Sequence, residues 1–314
     1  MQDFKFSISQ WAPFRDEEVC ERVRNIKRKD IEKHSNPNLS IKILKDTDIS
    51  FMNAWDIFNR IKQSSEENKK LVLILPQPHP LYSKVAYLIN KFNINCRKLW
   101  TFNMDEWADE DGNIAPETYR NGFLYAMKHN FYYQIEEKLR PPENQIIGPT
   151  NKNFKDYEKM IDDLGGADVC YGGIGWSGHL AFIEPGSPEF KANSLEEWKE
   201  MGPRIVTLSP FTIAQSSLDP DFGMSGDWSA IPPKAATIGP RQILQAKLRC
   251  SWNSFTISQT LVSWQRFTVR LALFGPVTPD IPASMLQLAP SNFYMSESIA
   301  KDIEPSFEHS WYLI

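Results

Sequence analysis

Cysteine is scarce in this 314-residue sequence. Cys20, Cys96, Cys170 and Cys250 lie far apart and in no C-x-x-C spacing, which argues against a zinc site and suggests no disulfide framework. A reduced, cytoplasmic compartment is the expectation that follows. An excess of positive charge is also lacking: the net charge is -4 and the pI about 5.8. Without a basic field, neither nucleic acid nor an anionic membrane is expected as the main partner. The basic run "RVRNIKRKDIEKH" is interleaved with acids and reads as a solvated helix face. No apolar run approaches the ~20 residues of a membrane span. The opening residues show no basic region followed by an apolar stretch, so no secretory leader is expected. There is no internal repeat and no low-complexity tract.

What is present is a chain long enough for a sizeable core, with 41% hydrophobic residues. From about Ile41, apolar runs alternate with amphipathic stretches, the pattern of an α/β domain whose parallel sheet is covered by helices. The expected fold is a doubly wound, mostly parallel, Rossmann-like sheet in residues 41–314, with residues 1–40 as an N-terminal extension carrying one helix from Arg15 to His34. The strands expected are "LVLILP", "RKLWTFNMDEW", "ADVCYGGIG", "AATIG" and "VRLALFG". The stretch "LRCSWNSFTISQTLVSWQRF" alternates enough for one or two more. Helices are expected at "SFMNAWDIFNRIKQSSEENKK", "PLYSKVAYLINKF", "PETYRNGFLYAMKHNFYYQIEEKL" and "NFKDYEKMIDDLG".

In such a sheet, ligands bind beyond the carboxyl ends of the strands. Asp105 and Glu106 follow an apolar strand directly, so one of them can serve as a base, although a turn or helix cap is the simpler reading of the tripeptide alone. In "GIGWSGHLAFIEP", His179 follows a turn in which Gly172, Gly173, Gly175 and Gly178 allow close backbone approach to a ligand. A neutral His179 oriented by Glu184 can shuttle a proton near pH 7, and a histidine merely satisfied inside a loop is the competing reading.

"TFNMDEW", "PETYRNGF", "GGIGWSGHLAFIEP" and "PPKAATIGPRQIL", in that order, strongly resemble the glucosamine-6-phosphate deaminase/isomerase family, whose fold is shared with 6-phosphogluconolactonases. The resemblance implies an aldose–ketose isomerase, with or without deamination, that acts on an amino sugar or a sugar phosphate or derivative and needs no metal or cofactor. Asp105 matches the acid that moves a proton between C2 and C1, His179 the ring-opening histidine and Glu184 the glutamate behind it. Glu106, Ser177, Gly173, Gly175 and Gly178 fall within the matching motifs and complete the expected substrate-binding set. A homo-oligomer is left open. The alternatives are a sugar-phosphate lactone hydrolase, in which His179 activates water, and a sugar-binding protein that has lost catalysis.

The departures from the family pattern bear on the substrate. Ser177 stands where the family has an acid, and Ile183 where it has an asparagine. The family's glycine-rich phosphate loop is replaced by "PQPHP", in which Pro78 and Pro80 remove amide donors and no glycine remains. The family's phosphate-contacting arginine and lysine fall near Leu218 and Thr278. His79 and Arg241 could supply a different anion site or merely brace loops. Glucosamine 6-phosphate is therefore expected to be a poor substrate.

Overall fold

A computed structural model describes residues 5–257 and 262–305. Ten strands are found among them: β1 (Leu39–Leu44), β2 (Leu71–Leu75), β3 (Leu99–Asn103), β4 (Asp105–Ala108), β5 (Ile146–Ile147), β6 (Val169–Gly172), β7 (Arg204–Thr207), β8 (Lys234–Thr237), β9 (Leu248–Asn253) and β10 (Ser291–Ser296). Seven form one sheet in the order β1-β10-β9-β6-β2-β3-β5, with every neighbouring pair parallel. The order reverses between β2 and β6, because the chain runs outward from β2 through β3 to β5 and then returns to β6 on the other side of β2. That is the topological switch point at which an open α/β sheet leaves a crevice.

The sheet is buried on both faces because its strands are apolar at successive positions. In β2 all five residues are buried. Leu71, Leu73 and Leu75 join a cluster with Ala54, Ile57, Phe58 and Ile61 of the helix Ile49–Glu66 and with Val85 and Ile89 of the helix Leu81–Lys91. Val72 and Ile74 point the other way, into a cluster with Tyr157, Ile161, Ile243, Val269 and Leu273. The period of two along an extended chain divides these side chains between the faces, so both faces require helices. No helix among the described residues is long and apolar enough to cross a membrane.

Several elements differ from the sequence-based expectation. "VRLALFG" is not a strand: it lies in the helix Gln265–Phe274, buried on nearly all sides. A short, continuous apolar run has no periodicity to separate a buried strand from a buried helix. "RKLWTFNMDEW" is two strands in two sheets, because the chain leaves β3 at Met104 and β4 pairs antiparallel with β8, which in turn pairs with β7. "AATIG" therefore belongs to this small antiparallel sheet and not to the parallel one. The strand β10, "SNFYMS", paired between β1 and β9, carries no strong signal and was not anticipated. Of "LRCSWNSFTISQTLVSWQRF", the first part is β9, and residues 258–261 lie outside those described. The N-terminal helix is broken into Glu17–Arg24 and Arg28–Ile31.

Candidate active site

A cavity of about 370 Å³ opens at the switch point, lined by Pro76, Gln77 and His79 after β2, by Gly172, Gly173, Ile174 and Gly175 after β6, and by Trp252, Ser254 and Phe255 at the end of β9. Asp105 and His179 line this same cavity. Asp105 is placed by the break at Met104, whose N–H donates to Leu75 O at 2.8 Å while its carbonyl accepts from Ile238 N at 3.0 Å. The chain is thus pinned to both sheets immediately before the acid. Asp105 is 5% exposed, and its Oδ1 has no partner within the protein. Burial, reinforced by the negative charge of Glu106, holds its carboxyl well above the usual carboxylate range.

His179 sits in a loop whose shape depends on its glycines. Gly178 has φ +88°, and a side chain there would be strained. A Cβ on Gly175 would stand 2.0 Å from His179 Nε2, so the bare glycine makes room for the ring. A Cβ on Gly173 would meet Trp252 O at 2.9 Å. Past the histidine, Ala181 adopts φ +53°, an uncommon conformation for a residue with a side chain, in the turn closed by Ile183 N donating to Leu180 O.

Behind the ring lies a closed polar network. Ser177 Oγ lies 3.0 Å from His179 Nδ1 and donates to Glu184 Oε2 at 3.0 Å. Because the serine proton is given to the glutamate, Oγ can accept from Nδ1–H, which leaves Nε2 as the nitrogen that takes up or releases a proton. Thr212 Oγ1 is also 3.0 Å from Nδ1, and Ser209 N donates to Glu184 Oε1 at 3.2 Å. His179 Nδ1 and Glu184 Oε2 are 3.6 Å apart, an ion pair when the ring is protonated. Burial pushes Glu184 upward, but the pull of His179 and the hydrogen bonds from Thr212 and Ser209 outweigh it and leave the carboxyl below its ordinary value. Serine at 177 therefore bridges histidine and glutamate, where an acid would have placed a second charge.

Not every anticipated residue belongs to the cavity. Glu106 points away from it: its carboxylate accepts from Trp107 N and Phe123 N at 2.9 Å and from Leu124 N at 2.7 Å, capping the helix Phe123–Asn130. Burial pushes it up to about 7. Capping, the simpler reading offered for Asp105, is thus the role of its neighbour. Arg241 does not reach the cavity either, because its guanidinium is ion-paired with Glu158 and, at 3.0 Å, with Asp162. An anion site shared by His79 and Arg241 is not formed. His79 lines the cavity and accepts from Leu81 N at 3.2 Å through Nδ1, an acceptor at the start of the helix Leu81–Lys91. Ser177 stands behind the histidine rather than against the ligand space.

Sequence reasoning missed Thr212, Gln77, Asp219, Asn53, Trp252 and Trp264, the last five of which line the cavity. Thr212 could only have been read as part of a helix start, since Ser209 Oγ caps Thr212 N.

No protein-family model matches the chain. Curated relatives do: a glucosamine-6-phosphate deaminase of Caenorhabditis elegans is 32% identical over 198 residues, 61% of this chain and 66% of the relative. One from Fusobacterium nucleatum is 30% identical over 62% of this chain and 67% of the relative. The aligned stretches thus span about two thirds of these relatives' own length. Among solved structures, a monomeric glucosamine-6-phosphate deaminase superposes with a TM-score of 0.65 at 22% identity, covering 83% of this chain and 98% of that one. A 6-phosphogluconolactonase from Leishmania guyanensis superposes with a TM-score of 0.57 at 13% identity, over 84% of this chain and 98% of that one. These likenesses show a shared fold, and the branch is decided by sequence: the glucosamine-6-phosphate deaminase of Borrelia hermsii is 32% identical over 64% of this chain and 70% of its own length. This chain belongs to the glucosamine-6-phosphate deaminase family.

Proposed function

We propose that the protein is an aldose–ketose isomerase of amino sugars that also releases ammonia. The observation that carries this reading is that a buried carboxyl with raised proton affinity and a histidine backed by a closed relay line one cavity. Protonated His179 gives its Nε2 proton to the ring oxygen as the C1–O5 bond breaks, and the C1 hydroxyl loses its proton to leave an aldehyde. Ser177, Thr212 and Glu184 stabilise the charge that comes and goes on the ring. Asp105, as carboxylate, removes the proton from C2, and the electron pair moves through C1=C2 to the aldehyde oxygen, which is protonated. The same carboxyl returns its proton to C1, leaving an iminium at C2. Water adds there, and ammonia leaves from the carbinolamine to give the ketose.

A carboxyl that binds its proton more tightly than usual suits this shuttle, because it is a stronger base towards a weakly acidic C–H and a ready acid on return. The test is to incubate the full chain with an amino sugar phosphate, the free amino sugar and a phosphosugar lactone, and to assay ammonia, ketose and acid. Ammonia and ketose from an amino sugar, abolished by Asp105→Asn, support the reading. Acid from the lactone alone would replace it with hydrolysis.

A further inference from the structure

The cavity has an unusual charge inventory. Its lining contains two carboxyl groups, Asp105 and Asp219, and two histidines, but no lysine or arginine. Lys84 stands at the rim: it is exposed, and its Nζ is 3.4 Å from Oγ of the lining residue Ser50. Asp219 and Gln77 interact through their side chains at the end of β2, where Pro76, Pro78 and Pro80 leave the loop 76–80 with only the amides of Gln77 and His79 as backbone donors.

We propose that Asp219 and Gln77 form a subsite for an uncharged, hydroxyl-bearing end of the substrate, so that the sugar handled here is an unphosphorylated amino sugar. This rests on the isomerase reading above. A carboxyl beside an amide accepts from and donates to hydroxyls, whereas a phosphate dianion brings only acceptors and negative charge. The unsatisfied polar atoms agree with this. Asn53 Oδ1, Asp105 Oδ1, Trp252 Nε1 and Trp264 Nε1, all on residues lining the cavity, have no partner in the protein. They comprise two acceptors and two donors, a mixture that the hydroxyls of a sugar ring can satisfy. The volume is at the small end of the range for small-molecule sites, suited to one sugar ring.

The test compares glucosamine with glucosamine 6-phosphate on the full-length protein, by ammonia release and by calorimetric titration. The expected result is a kcat/KM at least 10-fold higher for the free sugar. Asp219→Asn should raise the free sugar's KM several-fold with little change in kcat and narrow the preference between the two sugars. Equal or better turnover of the phosphorylated sugar would overturn the subsite while leaving the isomerase standing. Absence of turnover with both would overturn the isomerase reading, and the titration would then decide the subsite: tighter binding of the free sugar, weakened in Asp219→Asn, supports it, and tighter or equal binding of the phosphate refutes it. The comparison of the two sugars on the unaltered protein does not depend on the variant folding.

Discussion

Ser177 makes one contact to His179 and one to the Glu184 carboxylate behind it, and its removal isolates their worth. Ser177→Ala should lower kcat about 5-fold with little change in KM, because one hydrogen bond contributes about 1 kcal/mol and Thr212 continues to hold Nδ1. Steady-state kinetics on a cyclic amino sugar would check it, and an unchanged kcat would show the relay to be idle. Asp105→Asn should cost about 10²- to 10⁴-fold in rate, the usual contribution of a positioned acid–base group. The same substitution has a signature in stability. The folded protein holds the Asp105 proton well above the unfolded value, so the associated stability is fully present below the unfolded pKa and is lost as pH rises through the folded one. Asparagine cannot ionise, so relative to the parent the variant should gain stability between pH 4 and pH 8, by about 1.4 kcal/mol for every tenfold by which folding tightens the hold on that proton. Urea denaturation of both proteins at the two pH values reads this directly, and a stability difference between them that is unchanged from pH 4 to pH 8 would contradict it.

The helix Phe123–Asn130 depends on a side chain from another element. Glu106 from β4 accepts two of its orphan N-terminal amides, those of Phe123 and Leu124, tying the small antiparallel sheet to the helix that covers the parallel one. Glu106→Ala leaves those donors buried and unpaired, and should cost about 2–4 kcal/mol in urea unfolding. Ligand binding by the folded fraction should survive. The pair Asp105 and Glu106 shows what the sequence could reveal. Two acids at a strand end mark a functional edge, but only the turn at Met104 decides which faces the cavity and which faces the helix. The glycines of the His179 loop were legible because their need is local, in positive φ or close approach. The helix Gln265–Phe274 was not, because a side-chain run buried all round leaves no period to read. Asp219 and Trp264 come from distant connections, and no local spacing announces that they meet.

At the scale of the whole molecule, the N-terminal segment is tied to the domain through backbone carbonyls. Arg22 Nη1 donates to Phe274 O at 2.9 Å, His34 Nε2 meets Leu273 O at 2.7 Å, and the buried Arg270 donates to Ile26 O at 2.9 Å. Phe14, Cys20 and Arg24 also line a second cavity of about 510 Å³ that reaches Ser177 and Trp264, the latter of which lines the first cavity as well. Deletion of residues 1–26 should therefore lower Tm by roughly 5–10 °C and reduce kcat as well, measurable by calorimetry and kinetics. An undisturbed kcat would show that the segment supports the fold alone. The four cysteines supply a further readout of how this segment is joined to the rest. All are reduced and buried, and burial pushes Cys96, Cys170 and Cys250 up to about 12, so in the native state they are poor nucleophiles towards a thiol reagent. Each reacts only when its surroundings open, which makes the labelling rate at each position a clock for local unfolding. Cys20 lies in the N-terminal segment, whereas Cys170 and Cys250 lie in β6 and β9 at the middle of the sheet. If the segment detaches as a unit, Cys20 will be modified at a rate that rises only shallowly with denaturant, in proportion to the surface the detachment exposes, while the sheet thiols wait for global unfolding, and a common rate for all four would mean that the molecule opens in one piece.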